Sequence, residues 1–299
     1  MAVRPGLVSA VLLLAVLGVS LSGPLVRLAD AHPLAIAAWR LGLSLAIIAV
    51  PLVAGGSWRQ WRALDRRSLA LAIAAGVMLA LHFWFWNASI GMTTIAASVV
   101  LVNTQPLVVA ALSAAWLRET PSRGQWAGIG VAMLGALIVV LPDLLGAGRD
   151  SFGGRAALGD ALALAGAVTA AVYYVVGRRL RASLDLWAYV GLVYAACFVT
   201  LVVLAFALRV PLWPYPPREI GLFALLALGP MLLGHTALNW ALKHLRAYQV
   251  NVVLLGEPIG ATLLAAMLPG IRERPSALMV FGGVLVLSGI VLAERTRQR

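Results

Sequence analysis

The chain has 299 residues, of which 62% are hydrophobic and 11% are charged. This leaves too little polar surface to solvate a globular protein of that length, so the composition excludes a soluble domain and predicts a membrane protein. The net charge of +12 could indicate nucleic-acid binding. However, the arginines lie in short connections between apolar runs, and the sequence offers no basic domain to hold a phosphate backbone.

Ten apolar runs are long enough to cross a bilayer as helices, which takes roughly 20 residues each. In the first half they lie near residues 7–28, 34–54, 69–89, 93–117 and 124–141. In the second half they lie near residues 157–177, 186–208, 219–242, 247–268 and 276–293. The sequence therefore predicts an all-α membrane protein with five spans in each half. The first run has no small-residue cleavage site after it, so we expect it to be a retained helix.

The two halves repeat one pattern. The matching pairs are Asn87 and Asn239, Val100 and Val252, Pro106 and Pro258, Glu119 and Glu273, Gly128 and Gly282, and Gly135 and Gly289. We therefore divide the chain into a first five-helix repeat, 1–141, a linker, 142–156, and a second repeat, 157–299. Duplicated membrane halves commonly place a substrate path at the interface between them.

An odd number of spans per repeat puts the second copy on the opposite side of the membrane from the first, so the repeats are predicted to be inverted. The distribution of cations gives the orientation. With a cytoplasmic N-terminus, 15 Lys and Arg residues lie in cytoplasmic connections and seven lie outside. We therefore expect both the N- and C-termini to be cytoplasmic.

These motifs resemble those of the EamA-type, ten-helix members of the drug/metabolite transporter superfamily. The resemblance rests on residues 103–107, Asn-Thr-Gln-Pro-Leu, on Glu119-Thr120-Pro121, and on the second copy at 256–258 and 273–275. The aromatic segment 82–87 is similar to the branch of that family that exports aromatic amino acids. The resemblance implies a multi-pass transporter in a bacterial inner membrane that exports its substrate from the cytoplasm by alternating access.

Polar side chains within the spans are the candidates for substrate contact, because an unpartnered polar group in hydrocarbon costs several kcal/mol. His82 and Trp86 share one helical face, and His235 and Asn239 have the same four-residue spacing. Because both repeats keep an asparagine, we expect spans 3 and 8 to line the path, the alternative being that these amides bond neighbouring helices. The predicted substrate-binding residues are His82, Trp86, Asn87, Asn103, Tyr174, His235, Asn239, Asn251 and Glu257.

Glu257 is the carboxylate closest to the middle of a span, and the repeat places it opposite Gln105. It is predicted to bind a substrate ammonium or to carry a proton, with a structural bond to a neighbouring helix as an equal alternative. Pro106 and Pro258 follow these two positions, and Pro24 lies in the first span. Each proline frees a carbonyl and weakens its helix, which predicts three hinges for gating.

The charges within the spans limit the substrate. Phosphorylated substrates would require arginine or lysine clamps, and only Arg40 lies within a span, where we expect it to snorkel outward. Amides, imidazoles and one carboxyl suit a net-neutral zwitterion, and Trp86 and Tyr174 suit an aromatic or apolar side chain. A small-molecule amino acid is therefore the expected substrate, although a neutral drug, vitamin or other metabolite fits similar groups.

Other classes of protein lack their motifs in this sequence. It contains no metalloprotease motif, nucleophile elbow or nucleotide fingerprint, so we expect no enzyme activity, cofactor or metal. The sparse polar lining of the spans argues against a channel. Cys197 is the lone cysteine and is expected to be inert. The glycines spaced seven apart at 128 and 135, and at 282 and 289, predict scaffold packing or a homodimer contact.

Overall fold

A computed structural model describes residues 5–144, 154–271 and 276–295, and within these ranges the regular structure is entirely helical, as predicted. The α-helices are α1 (Pro5–Ser20), α2 (Ser22–Leu28), α3 (Pro33–Ala54), α4 (Arg66–Ile90), α5 (Ile95–Val102), α6 (Gln105–Leu112), α7 (Arg123–Leu144), α8 (Ala156–Leu180), α9 (Leu186–Ala207), α10 (Pro217–Leu226), α11 (Ala237–Ala241), α12 (Ala247–Leu254), α13 (Glu257–Met267) and α14 (Ala277–Arg295). A 3-10 turn (Ser57–Ala63) and two π-helical segments (Ser113–Leu117 and Ala227–Thr236) complete the set.

Eight helical segments of the described residues are long and apolar enough to cross a membrane. They are Gly6–Leu28, Pro33–Ala54, Arg66–Ile90, Ile95–Leu117, Ala156–Leu180, Leu186–Ala207, Pro217–Ala241 and Ala247–Met267. Large apolar side chains such as Leu13, Val50 and Phe206 are exposed on their outer faces, which suits contact with lipid rather than water. The chain is therefore a multi-pass integral membrane protein.

Capping side chains set the starts of several helices. Asp65 accepts a hydrogen bond from the backbone N–H of Ser68 at 3.0 Å, and Asp185 accepts one from Ala188 at 2.8 Å. Thr94 does the same for Ala97 at 3.1 Å. Each cap satisfies one of the N–H groups that the first turn of a helix leaves unpaired. These residues thus define where α4, α9 and α5 begin after their connections.

Four of the membrane-length segments are interrupted near their middle. The first breaks at Leu21, between α1 and α2; the fourth breaks between α5 and α6; and the corresponding segment of the second repeat breaks between α12 and α13. Each break lies just before Pro24, Pro106 or Pro258, because a proline cannot donate to the carbonyl four residues earlier. In the segment Pro217–Ala241, which contains Pro230, the helix instead widens into the π segment Ala227–Thr236.

The two repeats interlock rather than packing as separate bundles. The first span of the second repeat, α8, packs against α4, α5 and α6 of the first repeat. In the same way, α1 packs against the π segment, α11, α12 and α13 of the second repeat. The first span of each repeat therefore lies between the third and fourth spans of the other, which brings residues from both repeats to one central region.

Helices α7 and α14 pack against each other through the repeated glycines. A Cβ at Gly128 would lie 2.6 Å from the carbonyl oxygen of Gly289, and one at Gly135 would lie 2.6 Å from that of Gly282. Only glycine permits this backbone approach. Of the two roles predicted for these glycines, the structure places them in scaffold packing within one chain.

Several sequence features lie outside the described residues. They are Glu273, Arg274 and Pro275 of the second repeated motif and residues 145–153 of the predicted linker. Cys197 lies within the described part and is fully buried with a free thiol.

Candidate functional site

A small cavity lies where the first, third and fourth spans of both repeats converge. It is lined by Val19, Ser22, His82, Trp86, Val102, Asn103, Gln105, Tyr174, His235, Leu254 and Glu257. Six of the nine predicted substrate-binding residues are therefore brought together. The cavity volume is about 30 Å³, which accommodates a water molecule but not an amino acid. Passage of a substrate would require the surrounding helices to separate.

The helix breaks bring the most polar part of the lining into the interior. Glu257 is the first residue of α13, and Asn103 is the residue that ends α5. The Asn103 side chain donates to the Glu257 carboxylate at 3.1 Å and to the carbonyl of Val99 at 2.9 Å. This bond joins the fourth spans of the two repeats. The repeat partners Gln105 and Glu257 both line the cavity.

Aromatic and imidazole rings form the rest of the wall. The rings of His82 and Trp86 lie parallel with centroids 6.2 Å apart, and those of Tyr174 and His235 are stacked at 6.4 Å. The two imidazoles are 6.2 Å apart and meet edge to face. His82 bonds through Nδ1 to the carbonyl of Gly166 at 3.0 Å. Because a carbonyl only accepts, this contact places a proton on Nδ1 and leaves Nε2 to accept in the neutral ring.

Two lining residues hold buried polar atoms that have no hydrogen-bond partner among the described residues. They are the indole N–H of Trp86 and the amide oxygen of Asn103. Buried polar atoms are normally paired, so unpaired ones beside a cavity indicate a place where a polar ligand can bind. One is a donor and the other an acceptor, which suits a ligand that carries both kinds of group.

Three predicted path residues lie elsewhere. Asn87 donates to the carbonyl of Pro33 at 3.2 Å, and Asn251 donates to that of Ala247 at 2.9 Å. Asn239 donates to the hydroxyls of Tyr173 at 2.5 Å and Tyr194 at 3.2 Å. None of the three lines the cavity. The amides of Asn87 and Asn239 bond neighbouring helices, as the alternative of interhelical hydrogen bonding anticipated, whereas Asn251 bonds the backbone of its own helix.

The expectation that Arg40 snorkels outward was wrong. Its side chain is only 1% exposed, and its guanidinium donates to the hydroxyl of Ser22, a cavity-lining residue, at 3.1 Å. The guanidinium lies 4.3 Å from the centre of the Phe83 ring. Arg40 is the eighth residue of α3, too deep for its head group to reach the membrane surface while the other helices cover it.

Two arginines make matching contacts at the ends of the first spans. Arg27, in the last turn of α2, donates to the carbonyls of Ile90 and Thr93. Arg178, in the last turn of α8, donates to the carbonyl of Leu242 at 2.8 Å. It also forms an ion pair with Glu119 of the first repeat at 3.0 Å. Neither arginine is distinguishable in the sequence from the other cations near the ends of the spans, so no local signal indicates these contacts.

Comparison with known proteins agrees with this architecture. Residues 6–141 and 157–294 each match the EamA-like transporter family. An uncharacterized transporter from Archaeoglobus fulgidus is 25% identical over 279 residues, covering 89% of this chain and 90% of the relative. The pseudopaline exporter CntI from Pseudomonas aeruginosa is 30% identical over 240 residues, covering 79% of this chain and 78% of the relative. A solved crystal structure covers 99% of both chains with a TM-score of 0.73 at 19% identity, which indicates the same fold.

Both halves of the chain are thus matched, and the helices that line the cavity lie within the matched residues. The family match favours a transporter over the membrane enzymes and channels that composition alone leaves open. The chain belongs to the EamA-like transporter family, within the drug/metabolite transporter superfamily.

Proposed function

We propose that this transporter exports small, net-neutral zwitterions, aromatic amino acids in particular, across a bacterial inner membrane. The observation that carries the proposal is the central cavity, which combines one carboxylate, Glu257, with the amide of Asn103 and two stacked ring pairs. A carboxylate binds an ammonium group, and flat rings pack against an aromatic side chain. Export as the direction is supported by the relative named as a pseudopaline exporter.

The proposal places ten spans in the membrane, arranged as two inverted repeats with both chain ends in the cytoplasm. The eight membrane-length segments, together with α7 and α14, account for this number. The excess of cations in the connections assigned to the cytoplasm supports the orientation. The reciprocal packing of α1 and α8 between spans of the opposite repeat supports a two-fold relation between the halves.

Alternating access then means opening the cavity to one side at a time. A cavity of about 30 Å³ has to widen before an amino acid can bind, so the walls must move. The breaks before Pro24, Pro106 and Pro258 are the proposed hinges, since no continuous helical hydrogen bonding resists bending there. The π segment that carries His235 adds a fourth flexible element.

Transport by the purified protein in proteoliposomes tests the function. Vesicles loaded with unlabelled phenylalanine, tryptophan or tyrosine should accumulate the labelled amino acid by exchange, and uptake should saturate. Saturable exchange is expected of a carrier and not of an open channel. Repeating the measurement with a pH gradient asks whether protons drive transport. Protein-dependent uptake of none of these amino acids would contradict the proposal.

A further inference from the structure

Arg40 is a buried cation whose guanidinium has one hydrogen bond among the described residues, and that bond is to a neutral partner. Nη1 donates to the hydroxyl of Ser22 at 3.1 Å, and the Phe83 ring covers one face of the guanidinium. Nε and Nη2 are buried and have no hydrogen-bond partner among the described residues. A guanidinium stays charged in a protein and is costly to bury without an anion, so an unpaired arginine at this depth calls for a functional explanation.

The unpaired atoms share one edge of the guanidinium. Nε and Nη2 are the two nitrogens whose N–H groups point in parallel, and this edge holds both oxygens of a carboxylate in a bidentate pair. Among the described residues, the guanidinium's hydrogen bond to Ser22 uses the remaining nitrogen, Nη1. The structure therefore leaves free the part of the side chain best suited to a carboxylate.

Arg40 lies directly behind the wall of the central cavity. Its hydrogen-bond partner Ser22 lines the cavity. The Phe83 ring that covers the guanidinium contacts the ring of His235, another lining residue, with 5.2 Å between the ring centroids. Arg40 and Glu257 are close enough to interact electrostatically, yet the described residues include no ion pair between them. The two opposite charges thus belong to one region while remaining unpaired with each other.

We infer that Arg40 recognises the carboxylate of the transported substrate. This rests on the proposed function and deepens it: when the cavity widens, the free edge of Arg40 binds the carboxylate while Glu257 binds the ammonium. A substrate zwitterion supplies both missing counter-charges at once. The substrate class is accordingly α-amino acids and related carboxylates, and ring-bearing amines without a carboxylate are expected to bind more weakly.

A competition experiment in proteoliposomes tests the inference. Labelled phenylalanine is competed with four compounds that share its ring: phenylalanine, phenylalaninamide, phenethylamine and 3-phenylpropionate. Phenylalanine and 3-phenylpropionate carry a carboxylate, whereas phenylalaninamide and phenethylamine do not. For the natural chain, we expect the two carboxylates to compete at concentrations about tenfold or more lower than the other two compounds. In Arg40→Lys, which keeps the charge but cannot bind bidentately, and in Arg40→Met, this preference for carboxylates should disappear.

Binding is followed in parallel by the ligand-induced shift in melting temperature, which needs no transport. Arg40→Met should keep or raise the melting temperature of the unliganded protein, because it removes an uncompensated buried charge. If the natural chain transports phenylalanine but the variants keep the same preference for carboxylates, Arg40 is structural and the inference is overturned. If no carboxylate compound binds or is carried by the natural chain, the proposed function fails together with it.

Discussion

Arg27 and Arg178 make the same contact in the two repeats. Each lies in the last turn of its repeat's first span and donates to a carbonyl at the end of the third span, that of Ile90 or of Leu242. Ile90 and Leu242 occupy equivalent positions, three residues after Asn87 and Asn239. In an inverted arrangement these two clamps lie at opposite faces of the membrane, where each can hold one end of the central cavity closed.

Breaking the clamp at Arg178 should open the end of the cavity that the proposed topology places towards the cytoplasm. Arg178→Ala removes a charge-assisted bond to Leu242 and the ion pair with Glu119, so the end that these contacts hold should separate more often. The reporter is Gln105→Cys, which lines the cavity, in a Cys197→Ser background free of other thiols. Labelling by an impermeant maleimide should rise several-fold from the cytoplasmic face, and Arg27→Ala should raise it from the opposite face.

Arg179→Ala is the matched control for this experiment. Arg179 adjoins Arg178, is exposed, and contacts the Trp116 ring at 5.3 Å rather than the third span. It removes the same charge from the same turn and should leave labelling unchanged. Equal labelling from both faces in Arg178→Ala would show that this clamp does not gate access.

Asn103→Leu should weaken transport without unfolding the protein. The substitution removes the bond to the Glu257 carboxylate and the unpaired amide oxygen beside the cavity. The amide oxygen is an acceptor for the ammonium of the proposed substrate, and a hydrogen bond to a charged group contributes about 1.5 to 3 kcal/mol, so the apparent affinity for substrate should fall about tenfold. Initial rates of uptake at varied substrate concentration measure the change.

Asn251→Leu supplies the comparison. Asn251 is fully buried and donates to the carbonyl four residues earlier at 2.9 Å, the same distance as the backbone bond of Asn103. Only Asn103 lines the cavity. Equal losses of transport in the two variants would mean that the loss reflects helix stability rather than substrate contact.

The sequence was sufficient to predict an all-helical, multi-pass protein built from two repeats, because the signals for these features are long and repeated. Apolar runs mark the spans, and the prolines at 24, 106 and 258 mark three of the interruptions. Glu257 and Asn103 could be anticipated for the site since a buried polar residue beside a helix break has few other uses. These inferences require only the order and spacing of residues along the chain, which can be read directly from the sequence.

Whether the other polar residues of the spans reach the cavity depends on the direction in which each side chain leaves its helix and on its depth in the membrane. Asn87 follows Trp86 by one residue, or about 100°, which is enough to turn it from the cavity towards Pro33. In the third span of the second repeat, the π segment Ala227–Thr236 closes each hydrogen bond one residue later than an α-helix does, so α-helical wheel spacing fails just before Asn239. Arg40 was misjudged because snorkelling depends on which helices cover a side chain, and no local pattern reports that.

Asn239→Leu should lower stability more than it lowers substrate affinity. Asn239 is completely buried and joins the hydroxyls of Tyr173 and Tyr194, which lie on two other helices. Losing both bonds should cost about 1 to 2 kcal/mol, measured as a reduced melting temperature in detergent. Asn87→Leu, which loses one bond of 3.2 Å, should cost less. A normal melting temperature with abolished substrate binding would instead return Asn239 to the substrate path.

Gly128→Val should separate α7 from α14. The added Cβ would lie 2.6 Å from the backbone of both Gly289 and Ala293, and backbone cannot move aside as a flexible side chain can. Overpacking of this kind costs about 1 to 3 kcal/mol, so the melting temperature should drop. Gly130→Val changes the same helix at a position with nothing within 4 Å, and it should be neutral because its new side chain meets no protein atom. If both variants melt alike, β-branching within α7 rather than contact with α14 sets the cost.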